Sequence, residues 1–185
     1  MGSFDSFRKR RVDNAKALSA FGVQPDDRGR AHYRTIREGN GTTVYTIGYE
    51  RRDADELMQL LKDVAITTLV DIREKPISRI ADFREEALRF RCADTGIQYV
   101  ACAELGSPAD HREELKRSGD FQAFGAKFRS HVRRSGRDAV RRVAALASTR
   151  LIALLCYERL HEECHRSIVA DLVAREINAT IVAIL

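Results

Sequence analysis

No run of about 18 apolar residues occurs in the 185-residue chain, so no transmembrane helix is expected. No apolar h-region follows the N-terminus, so no secretory signal is expected either. Cysteine is scarce, with four in the chain. Without a secretory signal, that number points to free thiols in a reducing compartment rather than to a disulfide framework, and hence to the cytoplasm. There is no internal repeat and no low-complexity segment. Lysine is also scarce, 6 against 26 arginines, a bias that is not by itself a sign of phosphate recognition.

What is present is enough apolar material for a core, 44% of the residues, in a length that suits one domain with an appendage. The net charge of +5 is unevenly spread. Residues 1–42 carry nine Lys/Arg against five Asp/Glu, and residues 127–142 carry seven basic groups against Asp138 alone. The rest of the body is mildly acidic. Two basic segments on such a body suggest a polyanionic partner, nucleic acid or a nucleotide, and give no reason to expect a membrane.

Residues 1–42 read as a basic N-terminal extension, a helix followed by a Gly/Asp/Asn-rich loop over 22–41. The helix suits packing on the body, contact with nucleic acid, or pairing with a second copy of the chain in a homodimer. From residue 43 to 185, strand and helix patterns alternate. Strands are expected at 43–47, 66–72, 97–101, 151–155 and 180–184. Asp53, with Glu56 three residues on, caps a helix whose apolar face is Ala54, Leu57, Met58, Leu61 and Val64. Asp82 is expected to cap the next helix, Phe121 to Val132 and Val140 to Ala147 suit two more, and a last helix is expected over 162–177. The alternation predicts a single α/β domain with a mostly parallel sheet of about five strands, flanked by helices on both faces and joined by right-handed crossovers.

The strongest functional signal is where the polar residues fall. Tyr49 follows the first strand, Asp71 and Arg73 end the second, Glu104 follows the third, and Cys156 and Glu158 end the fourth. In a parallel sheet all of these emerge along one edge, where open α/β folds collect ligands. The stretch from Leu151 to Arg166, LIALLCYERLHEECHR, carries the densest cluster. Glu158, just past a buried strand, suits a general base or nucleophile. Asp71 and Glu104 suit positioning of substrate or water. Cys164, expected in the first helical turn, and Cys156, at the strand end, are the candidate thiol nucleophiles, although a cysteine ending an apolar strand also suits plain packing. Arg73, Arg79, His165 and Arg166 suit anion binding, Ser78 lies with them as a substrate-binding candidate, and Tyr49 suits stacking on a base. Lys127, Arg134, Arg137 and Arg141 form a candidate nucleic-acid stripe. Cys156, His161, Cys164 and His165 have the spacing C-x4-H-x2-C-H, which is not a familiar zinc pattern, and adjacent residues of one helical turn diverge. No metal and no cofactor are expected.

Four ordered motifs, TIGYE at 46–50, LVDIREKPISR at 69–79, GIQYVACAELGSP at 96–108 and LLCYERLHEECHRSIVADLV at 154–173, make residues 43–177 resemble the domain-of-unknown-function 488 family. The resemblance implies a small α/β domain with clustered polar motifs, suspected to be enzymatic and with no family-wide reaction assigned. It also places His161 in a variable part of the last motif. Rhodanese-like domains share a DxR after a strand, but no Cys-x5-Arg appears here. The expected function is therefore an enzyme acting on nucleic acid or a nucleotide by hydrolytic or glycosyl-transfer chemistry. Its rivals are a rhodanese- or phosphatase-like thiol enzyme and a non-catalytic nucleic-acid-binding or adaptor domain.

Overall fold

The computed structural model describes residues 33–185. The strands are β1 (Tyr33–Arg37), β2 (Thr43–Gly48), β3 (Thr68–Asp71), β4 (Gln98–Ala101), β5 (Ile152–Cys156) and β6 (Thr180–Ile184). The helices are α1 (Ala54–Asp63), α2 (Glu85–Asp94), α3 (Ala109–Ser118), α4 (Phe121–Ser135), α5 (Arg137–Ala147) and α6 (Arg166–Ile177). All six strands join one sheet in the order β1-β6-β2-β5-β3-β4, parallel except for β1, which runs antiparallel to β6.

The central strands are apolar on both faces because both faces are covered. Val44, Val70, Ile72, Ile152 and Leu154 point into a core shared with Phe124, Phe128 and Val132 of α4, Val140 and Val143 of α5, and Val169 of α6. The alternate residues Ile47, Leu69, Ala153 and Leu155 meet Leu57 and Leu61 of α1 and Leu88 of α2 on the other side. The period of two along each strand thus sorts the helices into two layers. Helix α1 begins as its sequence dictates, with the Asp53 carboxylate accepting the Glu56 N–H at 2.7 Å.

The connections explain where a site forms. The chain leaves β2 and β3 toward the α1–α2 face, and leaves β5, which lies between them, toward the α6 face. A change in the direction of travel along the sheet changes the face when crossover hand is fixed. The C-terminal end of β5 is therefore flanked by connections that part to opposite faces, the crevice where open α/β sheets bind ligands. Register aligns the strand ends, with Gly48 beside Cys156 and Asp71 beside Leu155.

Three local expectations differ from the structure. Residues 33–37, read as loop, form the edge strand β1; its alternating polar sequence YRTIR gives half-exposed positions that look like loop unless the distant β6 is there to pair with. The remainder of the extension, residues 1–32 with its expected helix, lies outside the described residues. Asp82 caps no helix: Ala81–Phe83 form a short 3-10 turn, and α2 starts after Arg84 without a side-chain cap. Helix α6 starts at Arg166, not at residue 162, which moves Cys164 ahead of the helix. Among the described residues, no helix is long and apolar enough to cross a membrane.

Candidate active site

The loop after β5 is tied to the end of β2 and cannot drift from it. Tyr49 N–H donates to the Cys156 carbonyl at 3.2 Å and Glu50 N–H to the Tyr157 carbonyl at 2.8 Å, continuing the parallel ladder past the strands. The Arg159 N–H donates to the Glu50 carboxylate at 3.1 Å. From below, buried Arg166 donates to the carbonyls of Glu158 and of Arg159, the latter at 2.8 Å. This clamp leaves no room for a side chain at residue 48, which is glycine.

Held this way, Cys156, Glu158, Cys164 and His165 converge, with one ligand-type atom from each lying within 4.8 Å of all the others. Cys156 Sγ is 3.4 Å from Glu158 Oε2 and 3.5 Å from His165 Nδ1, and Cys164 Sγ is 3.9 Å from the same nitrogen. The Arg166 N–H donates to Cys164 Sγ at 3.5 Å. His165 Nε2 lies 3.1 Å from the Ile72 carbonyl. A carbonyl only accepts, so Nε2 carries the proton and Nδ1 turns its lone pair to the two sulfurs when the ring is neutral. Phe128 stands edge-on to the imidazole, with ring centroids 5.3 Å apart. Cys156, Cys164 and His165 are buried, whereas Glu158 is partly exposed.

The electrostatics follow from this packing. Burial raises the Glu158 carboxyl to about 7, with the nearby Cys164 adding to the shift. Burial also raises the Cys156 thiol, and Cys164 beside it pushes the same way. Burial opposes ionisation of Cys164, yet the Cys156 hydrogen bond, the Arg166 charge and His165 together hold that thiol well below its ordinary value.

Asp71 and Arg73 form a second, closed unit beside the first. Arg73 Nη2 meets Asp71 Oδ2 at 2.5 Å and Arg73 Nε meets Oδ1 at 2.8 Å, while Tyr99 OH donates to Oδ2 at 2.6 Å. The remaining arm, Arg73 Nη1, donates to Tyr49 OH at 3.1 Å and to the Phe83 carbonyl at 2.8 Å. Both residues are buried. Burial works against the Arg73 charge, but Asp71 more than restores it.

The positions of the other candidates follow. Tyr49 is buried, stacked on Phe83 at 4.3 Å with the Arg73 guanidinium 5.2 Å from its ring centre, so it has no open face for a base. The exposed ring here is Tyr157, edge-on to Tyr49 at 5.4 Å, which sequence reasoning passed over. Glu104 is exposed and bound by Arg142 at 2.6 Å, outside the cluster. Ser78 and Arg79 lie on the loop after β3, where Ser78 Oγ accepts the Ile80 N–H. Lys127 is paired with Glu114 at 2.6 Å and Arg141 lies 3.8 Å from Asp138, while Arg134 and Arg137 are exposed, with no ion pair among the described residues. His161 turns away to Thr46, its Nδ1 2.9 Å from Thr46 Oγ1, and burial with the Arg166 charge lowers its pKa to about 4. Because both Thr46 and His161 are buried, Thr46→Val is expected to destabilise the fold by roughly 1–3 kcal/mol through the orphaned ring nitrogen; an unchanged urea midpoint would show that the nitrogen finds another partner.

A family model described as a domain of unknown function, DUF488, matches residues 53–173, well over half of the chain. The chain belongs to this family. The span matched by the DUF488 model runs from the α1 cap through most of α6, so it contains the whole four-residue cluster and the Asp71–Arg73 unit. Comparison with curated proteins and with solved structures gives no match.

Proposed function

We propose that this DUF488 domain is an enzyme that carries out hydrolytic chemistry on nucleic acid or a nucleotide at Glu158. The observation that carries the reading is the position of Glu158. It is the partly exposed member of an otherwise buried cluster, at the strand end where the connections part to opposite faces. A carboxylate so placed can take a proton from an attacking water, while Cys156 and the Arg166 clamp fix its orientation. The polyanion preference rests on the α4–α5 turn. Gly136 in that turn sits against the backbone of Glu104, just past β4, so exposed Arg133, Arg134 and Arg137 lie beside the same sheet edge as the cluster.

The test compares wild type with Glu158→Gln on labelled single- and double-stranded DNA and RNA. It follows binding against salt and the intact mass of the nucleic acid afterwards. The expected result is salt-dependent binding by both proteins, with a mass change that Glu158→Gln slows on the order of 100-fold or more. Binding with no mass change would make the domain an adaptor. No binding at low salt would end the polyanion reading.

One observation favours thiol chemistry instead: the Arg166 N–H and the His165 ring both meet Cys164 Sγ, as a nucleophilic thiolate requires. Its burial, at 1% exposure, disfavours direct attack on a substrate. Alkylation of Cys164 in the folded protein that leaves turnover intact would remove this reading.

A further inference from the structure

We propose that Cys156, Cys164 and His165, with the Glu158 carboxylate at the fourth corner, bind a single thiophilic divalent cation of the zinc class. The proposal does not depend on the substrate: the protein can bind the ion whether or not it acts on nucleic acid.

The linear spacing argues against such a site only if Cys164 and His165 share a helical turn. They do not. Helix α6 starts at Arg166, so Cys164 sits on the preceding loop and His165 at the N-cap, and their ligand atoms come to 3.9 Å of each other. His161, the other imidazole within the spacing, is committed to Thr46. The ligand set is thus two thiols, one imidazole and one carboxylate, supplied by the end of β5 and the entrance to α6.

The distances fit an ion of that kind. Ligands held at about 2.0–2.3 Å in a tetrahedron lie roughly 3.3–3.8 Å from one another. Three of the six ligand-atom pairs, at 3.4 Å, 3.5 Å and 3.9 Å, fall in or next to that range, and all six lie within 4.8 Å, so a small inward movement closes the set on an ion. Two sulfurs and an imidazole select a soft or borderline ion over magnesium or calcium, which take oxygen ligands. The surroundings also suit a metal centre. The Ile72 carbonyl orients His165 so that Nδ1 faces the sulfurs, and the Arg166 N–H and buried guanidinium lie beside Cys164 and Glu158 to offset the anionic charge. Glu158, on the solvent side, is the ligand that a water or substrate oxygen can replace, and binding releases the proton of the Cys156 thiol to solvent.

The test uses the full chain, reduced and stripped with a chelator, titrated with cobalt(II) and then with zinc. The expected result is a single equivalent of cobalt with thiolate charge-transfer and tetrahedral d–d absorption, displaced by zinc. Cys156→Ala and Cys164→Ala are expected to lose the charge-transfer bands, and Cys102→Ala, whose thiol lies outside the cluster, to keep them. X-ray absorption of zinc-loaded wild type, expected to show two sulfurs and two lighter atoms, gives the answer without variants should those fail to fold. Folded, reduced wild type that takes up no cobalt or zinc would overturn the proposal. So would an ion with no sulfur in its coordination shell, or one bound equally by the Cys164→Ala protein.

Discussion

Replacing Asp71 with alanine is expected to destabilise the protein by about 3–5 kcal/mol, the usual loss when one partner of a buried ion pair is removed. For a domain of this size that is a fall in Tm on the order of 10 °C. Asp71 accepts from the Arg73 backbone N–H at 3.1 Å, from the Arg73 guanidinium and from Tyr99 OH, so its removal strands a buried cation and a buried hydroxyl together. The attraction between the charges is not the main stake, because both were desolvated to make it. The uncompensated Arg73 is. The double variant Asp71→Ala/Arg73→Met is therefore expected to regain much of the loss. Urea unfolding of the single and double variants at one pH checks this, and a double variant no better than the single would contradict it. The same pair of measurements bears on catalysis. Asp71 is expected to matter through stability, and an Asp71→Asn protein with full stability and no turnover would return it to the reacting groups.

The features legible in the sequence are those fixed locally. The Asp53 cap and the apolar positions Ala54, Leu57, Met58 and Leu61 of α1 need nothing outside their own turns, and they stand as read, with Leu60 buried beside them and Val64 just past the helix end. The convergence of Tyr49, Asp71, Cys156 and Glu158 on one edge follows from strand–helix alternation alone, because a parallel sheet brings all its strand ends to one side. What each side chain does there is tertiary. Asp71 and Arg73 are two residues apart, and nothing in that spacing says whether they face a ligand or each other; Tyr99, Phe83 and Tyr49, from three other segments, close the unit. Tyr49 and Tyr157 have similar sequence settings just past a strand, yet one is packed under Phe83 and the other is exposed. Cys164 and His165 depend on a helix start four residues later than the apolar period suggests, and that shift turns two divergent side chains into neighbours.

Gly48→Ala is expected to have the other large effect, a loss of more than about 3 kcal/mol, at the upper end of what overpacking costs. A Cβ built on Gly48 would lie 1.8 Å from the Glu158 carbonyl oxygen, 2.6 Å from its carbon and 3.0 Å from Arg166 Nη1. The first two are backbone atoms, so no side-chain rotation relieves the overlap, and the 157–160 loop must leave the β2 end. That movement would break the Arg166 bond to the Glu158 carbonyl and draw Glu158 away from Cys156. The need for glycine here is close approach of backbone, which makes the glycine of TIGYE part of the site's construction. Gly125 supplies the contrast. It lies inside α4, where an added Cβ would meet only Ile168 Cδ1 at 3.6 Å, and Gly125→Ala is expected to stabilise the protein by roughly 0.5–1 kcal/mol. Thermal unfolding of both variants, with cobalt(II) spectra recorded alongside, separates the two expectations. Gly48→Ala should lose stability and the cobalt signal together, while Gly125→Ala should keep the signal. A Gly48→Ala protein with wild-type stability would mean that the loop has freedom to yield, and that the clamp from Arg166 does not hold Glu158 in place.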